Sequence, residues 1–205
     1  MNQPFFYFTG IFKIPAALLC MMIFSGELSA HPHIFLDYAV TFVFKDSAIE
    51  GARVKWLFDE FYSENIMYDF DKNKNKKLEP DEIKNVKEKS FSNLKNFNYF
   101  TYISTEGKKT GVEEIRDFSA EFSDGRVIFG FFIPFKIPAD NIPEELFLAI
   151  YDESYYTDIA HVKDDPVIFE NAEDIKVDYR IEKDKRHAYY FGEIIPRVIK
   201  LRFGK

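Results

Sequence analysis

Between Asp71 and Glu82 the chain carries oxygen donors at regular intervals. With Leu78 set on the apolar eighth position of a twelve-residue loop, Asp71, Asn73, Asn75, Lys77, Glu79 and Glu82 fall on positions one, three, five, seven, nine and twelve. This is the spacing of an EF-hand loop, in which calcium collects about six to eight oxygens. They would come from alternate side chains, from the backbone carbonyl of Lys77 and from a bidentate Glu82 carboxylate. The sixth position departs from the pattern, because it holds Lys76 where glycine normally permits φ > 0. Two early ligand positions are Asn rather than Asp, and Lys72, Lys74, Lys76 and Lys77 surround them. The expected calcium affinity is therefore weak, on the order of 10⁻⁴–10⁻³ M.

A second constellation offers nitrogen. Residues Ile14 to Phe24 form an uncharged apolar run after Lys13, followed by Ser25-Gly26-Glu27-Leu28-Ser29-Ala30, the layout of a secretory signal peptide. The run is shorter than the roughly 20 apolar residues a membrane-spanning helix needs. Extending it back to Phe5 would bury Lys13 in mid-bilayer. Residues 1–30 are thus expected to be a leader cleaved after Ala30, with an uncleaved N-terminal anchor as the alternative. A lipidated Cys20 is weaker still, since Leu19 precedes it where Gly or Ala is usual. Cleavage makes His31 the first residue of the mature chain. Its α-amine, its imidazole and that of His33 then present nitrogen donors suited to zinc, nickel, cobalt or copper. Pro32 has no N–H to deprotonate, so the square-planar amino-terminal chelate through the second amide is excluded. Asp59, Glu60, Asp152, Glu153 and His161 are candidates to complete the site if the strand ends converge.

Composition narrows the classes. The 205 residues carry a net charge of −7, and no Lys/Arg cluster forms a nucleic-acid footprint, so nucleic acid is not an expected partner. The single cysteine lies in the leader, which leaves the mature chain without disulfides or thiolate ligands. No Gly-x-Ser-x-Gly elbow appears, and nucleophilic catalysis has no support.

The elements that must position these donors read as follows. Aromatic residues make up 18% of the chain, a bias towards strands. Residues His33 to Phe44 alternate at period two, Lys45-Asp46-Ser47 supplies a turn, and Ile49 to Phe58 returns as the second strand of a hairpin. Asp59 to Phe70 is helix-compatible. Pro80-Asp81-Glu82 opens a segment with helical spacing to Phe97, giving an EF-hand-like helix–loop–helix insertion over about 59–97. Further strands are expected at Tyr99 to Ser104, Val112 to Phe122, Val127 to Ile133 and Leu146 to Tyr151, with Pro134, Pro138 and Pro143 marking a loop. The tail from Val167 gives no clear pattern, and Glu182 to Arg186 reads as a solvated surface segment. Phe58-Asp59-Glu60-Phe61-Tyr62 is echoed by Tyr151-Asp152-Glu153-Ser154-Tyr155, each at a strand end. The expected fold class is α+β, mainly antiparallel β and sandwich-like, with residues 31–205 forming a single β-rich domain that contains the insertion.

The combination of a leader ending before His31-Pro32-His33, a strand, Trp56-Leu57-Phe58-Asp59-Glu60-Phe61-Tyr62, the Asp71–Glu82 loop and Tyr151-Asp152-Glu153-Ser154-Tyr155-Tyr156 resembles a family of bacterial exported proteins of unknown function. That family is described as a periplasmic component of a transport system, often encoded beside a permease of the nickel/cobalt exporter type. The resemblance spans nearly the whole mature chain. It implies a non-enzymatic, metal-binding accessory protein of the periplasm that hands zinc, nickel or cobalt to or from a membrane permease. Lys76, where the family usually has Gly, and Asn at two loop positions, where Asp is common, are the departures. An oxidative copper enzyme built on an N-terminal histidine is one alternative, and it would need a third histidine and an open coordination position. A calcium-stabilised interaction module is another.

Overall fold

The computed structural model describes residues 32–105, 108–139 and 144–204. The leader, its cleavage point, His31 and Pro143 lie outside the described residues.

Strands β1 (Ile34–Lys45) and β2 (Ala48–Phe58) form the expected hairpin, paired from Leu36 with Phe58 to Lys45 with Ala48. Asp46 and Ser47 at its tip have φ of 49° and 59°, the left-handed pair that matches the twist of a tight hairpin. Alternation puts Leu36, Tyr38, Val40, Phe42 and Phe44 of β1 inside, facing the core together with Val54, Trp56 and Phe58 of β2. Helices α1 (Glu60–Phe70) and α2 (Pro80–Val86) follow, then a π turn (Lys87–Phe91) and a kinked 3₁₀ segment (Ser92–Phe100). The remaining strands are β3 (Thr101–Thr105), β4 (Lys108–Thr110), β5 (Arg116–Ser123), β6 (Arg126–Pro138), β7 (Glu144–Ile150), β8 (Thr157–His161), β9 (Val167–Glu170), β10 (Lys176–Lys183) and β11 (Arg197–Gly204).

The protein is mostly β, with antiparallel-rich sheets and few helices. One sheet has the order β5-β6-β2-β1-β8, with β9 pairing a later stretch of β1, and both β8 and β9 run parallel to β1. The other, β10-β11-β7-β3-β4, is antiparallel throughout. Inner faces of both share one core, in which Phe44 meets Phe203 edge-on at 6.0 Å.

Three sequence expectations need correction. The helix expected to run from Pro80 to Phe97 leaves α geometry at Lys87. Val86 and Phe91 are both buried, and on an α-helix residues five apart sit about 140° away from each other around the axis. The wider π turn carries Phe91 back to the core-facing side. Of the prolines expected in a loop, Pro138 is the last residue of β6, and Pro134 lies inside that strand. Its missing N–H is harmless there, because the pairing of β5 with β6 ends at Phe132. The charged tail is also less solvated than expected, since Asp184 is 6% exposed and accepts bonds from the backbone N–H and guanidinium of Arg186.

Candidate functional site

The oxygen-rich loop is anchored at both ends. At the start of α1, Asp59 caps the helix by accepting the Tyr62 N–H at 2.8 Å. The fully buried Ser63 donates to the Asp59 carbonyl and accepts the Val127 N–H at 2.8 Å, tying the helix to β6. Glu79 and Glu82 form a reciprocal capping box at the start of α2, with Pro80 in the first turn.

Within the loop the predicted side-chain ligands each hold the backbone or a neighbour. Asp71, nearly buried, accepts from the N–H groups of Asn75 (3.2 Å) and Lys76 (2.9 Å). Asn73 Oδ1 accepts the Asn75 N–H, and Asn75 Oδ1 accepts the Lys77 N–H. The amides of Asn73 and Asn75 both donate to the Glu79 carboxylate, and this, chiefly the Asn75 bond, holds the Glu79 carboxyl below the usual carboxylate range. Glu82 accepts from Lys72 N at 2.8 Å and Glu79 N at 3.0 Å, bracing the loop's two ends against each other. Lys76 adopts φ 62°, the conformation glycine usually supplies at this position, and Lys74 adopts φ 59°. Asn73, Asn75 and Glu79 are thus brought together, while Asp71 and Glu82 sit at the loop's base. Among the described residues no three His, Cys, Asp or Glu side chains converge as a metal-holding group. A cation here would draw the loop's carboxylates from hydrogen bonds they already make.

The nitrogen-bearing end is built differently. His33 precedes β1, exposed, with its N–H donating to the Tyr156 carbonyl at 2.9 Å and its ring 4.8 Å from the Tyr156 ring. The strand ends do converge here, but the carboxylates act on the backbone. Asp59 Oδ2 accepts the Phe35 N–H at 2.8 Å. Asp152 accepts the Ser154 N–H and hydroxyl and, through Oδ2, the Thr157 N–H, while Thr157 pairs with Ile34. The echoed aromatic-Asp-Glu motifs are therefore two strand-end caps flanking the entry of β1. Glu60 and Glu153 are exposed.

His161 does not complete this site. It pairs in register with Tyr38, five residues along β8 from the Tyr156 position, about 16 Å away. Tyr38 faces inward, and His161 hydrogen-bonds its hydroxyl at 2.7 Å, whereas His33 lies on the outer face. Burial, assisted by the nearby Arg197 charge, pushes the His161 imidazole down to about 4, and burial raises the Tyr38 hydroxyl far above its ordinary range.

Sequence reasoning missed a stack of Tyr102 on Tyr151 (4.2 Å) and Tyr151 on Tyr189 (4.7 Å) on the second sheet. Burial raises all three hydroxyls, that of Tyr151 to about 12. Tyr189 lies too far along the chain for spacing to have signalled the contact.

The family described as "Protein of unknown function (DUF1007)" matches residues 16–186. The chain belongs to this family. Among curated relatives, an uncharacterized 15.5 kDa protein in the trpE 3' region of Spirochaeta aurantia is 32% identical over 131 residues, covering 64% of this chain and 93% of the relative. An uncharacterized protein of Haemophilus influenzae is 24% identical over 159 residues, covering 77% and 75%. The DUF1007 match takes in β1, the Asp71–Glu82 loop and both capping motifs.

Proposed function

We propose that the protein works in the bacterial periplasm as a metal-binding accessory component of a transport system. In this reading its mature N-terminus takes a divalent transition ion (zinc, nickel, cobalt or copper) and passes it to or from a membrane permease. The His31 amine and imidazole and the His33 imidazole hold the ion, and the Asp71–Glu82 loop is an EF-hand-like calcium site that steadies the fold.

The observation that carries this reading is the bond from the His33 N–H to the Tyr156 carbonyl, braced on either side by Asp59 and Asp152. His33, third in the chain expected after cleavage, immediately precedes β1 and is exposed. Asp59 and Asp152 are engaged by backbone N–H groups, so in this reading the ion is held chiefly by nitrogen. Three nitrogens leave a coordination position to a donor from a partner, which suits transfer better than storage. The oxidative copper alternative is weakened by the inward turn of His161, one of the two histidines outside the N-terminal segment.

Intact mass and metal content of protein recovered from the periplasm test the reading. A chain beginning at His31 with about one equivalent of a transition ion is expected. A full-length, membrane-bound chain retaining the leader would contradict it.

A further inference from the structure

The segment joining β10 to β11 turns back on itself between Tyr189 and Ile194, and at its tip Tyr190 and Phe191 hold φ of 49° and 58°. Left-handed backbone is costly for a bulky side chain and is ordinarily left to Gly or Asn. Phe191 is 96% exposed, so its ring adds almost nothing to the core. An aromatic residue that strains the chain without burying its ring points to a use outside folding. Beside this tip lies an open cavity of about 560 Å³, lined by Tyr151, Glu153, Arg186, Tyr189, Tyr190 and Phe191 among others. The rings are continuous with the tyrosine stack, since Tyr155 meets Tyr189 at 6.4 Å and Tyr190 at 5.4 Å, and Tyr190 meets Phe191 at 5.4 Å.

The charges select the sign of an occupant. Arg186 is answered within the protein: its Nε and Nη2 donate to Asp184 at 3.0 and 2.6 Å, and its guanidinium lies 5.6 Å from the centre of the Phe147 ring. His187, also on the cavity wall, stands 3.5 Å from the same carboxylate. Glu153 is exposed, and among the described residues it has no ion pair. Its charge adds to burial in raising the Tyr102 and Tyr151 hydroxyls, and Asp158 and Asp152 act on Tyr189 in the same sense. We propose that this cavity binds an organic cation of the quaternary ammonium class, with its methyl groups against the rings of Tyr189, Tyr190 and Phe191 and its charge beside Glu153. Aromatic rings attract a cation, most strongly one that has shed its water. A primary ammonium brings three N–H donors that each need an acceptor on leaving water, and the cavity wall offers them one unpaired carboxylate. A quaternary ammonium brings none. The site shares no ligand with His31 and His33 and stands or falls without the metal reading.

Calorimetric titration with three probes separates charge, shape and N–H donors: choline, 3,3-dimethylbutan-1-ol (the same shape with carbon in place of nitrogen) and protonated ethanolamine. Choline is expected to bind saturably, about tenfold tighter than the neutral alcohol and at least about threefold tighter than ethanolamine. Phe191→Asn is expected to weaken choline about fivefold while the melting temperature holds or rises, because asparagine tolerates left-handed backbone. Glu153→Gln is expected to weaken choline about threefold and to leave the alcohol unchanged. No saturable binding of choline, equal affinity for choline and the alcohol, or tighter binding of ethanolamine overturns the proposal. So does a Phe191→Asn protein that binds choline as tightly as the wild type, or one that melts more than about 4 °C lower, which would make the ring a part of the fold.

Discussion

The loop and the N-terminal end are the two sites proposed for cations, and they are built in opposite ways. Every predicted donor of the loop comes from one contiguous stretch, and hydrogen bonds within that stretch fix its shape. Asp71 holds the backbone at Asn75 and Lys76, and Glu82 holds Lys72 and Glu79. At the N-terminal end His33 is positioned by residues more than a hundred positions away, through the Tyr156 carbonyl and the cap made by Asp152. Local spacing defines the first site; the sheet defines the second. A contiguous oxygen set suits a resident hard ion, and a sparse nitrogen set at an exposed strand end suits an ion in transit.

The largest effect expected of a single substitution concerns His161, which the proposed N-terminal site does not use. Its imidazole falls from 6.5 to about 4 on folding, so the unfolded chain binds the proton more readily. Stability is full above pH 6.5 and declines as pH falls from 6.5 towards 4, by about 2 kcal/mol once solvent screening at the ring's exposed edge is allowed for. Urea unfolding at pH 7 and pH 4.5 measures this, and His161→Gln should flatten the difference. The same variant should leave transition-metal affinity at pH 7.5 unchanged; a large loss would bring His161 back to the N-terminal site.

On the loop, calcium at about tenfold over its dissociation constant should stabilise the protein by about 1.4 kcal/mol. A thermal melt with and without about 10 mM calcium reads this, given the weak affinity of such sites. Glu82→Gln should remove the calcium-dependent part, while also lowering the calcium-free melting temperature, because Glu82 braces two N–H groups.

A smaller effect is expected at Lys76. The lysine holds φ 62°. Lys76→Gly should stabilise the fold by about 0.5 kcal/mol, the left-handed strain relieved less the added chain entropy of glycine. Calcium affinity should change by less than about twofold, since strain present in both states cancels. A tenfold gain in a calcium isotherm would instead mean that the loop reaches this conformation only on binding.

What could be read in the sequence follows the same division. The β1–β2 hairpin was legible because alternation from Ile34 to Phe44 and the Asp46-Ser47 tip are local signals, and so was α1, whose pattern is local too. The break in the helix after Val86 was not, because it answers to packing of Phe91 on Trp56 and Phe118. Strand β10 was obscured by exposed charges at a sheet edge, where they discourage edge-to-edge pairing. At the candidate site, the sequence pointed to Asp59 and Asp152 as potential ligands, and their backbone bonds to Phe35 and Thr157 emerge only once β1 and β8 are side by side. The inward turn of His161 likewise depends on strand register.

The central claim is that the N-terminal nitrogens, and not the loop, hold the transition ion. A zinc titration of protein beginning at His31, against the same protein with one extra residue before His31, tests it most directly. The extension keeps both imidazoles and converts the terminal amine of His31 into a non-basic amide. Affinity is predicted to fall by more than about tenfold, the scale of losing even an outer hydrogen-bond partner of a metal ligand, and to fall similarly in His33→Ala but not in Glu82→Gln. Equal zinc affinity with and without the extension, and in His33→Ala, would contradict it.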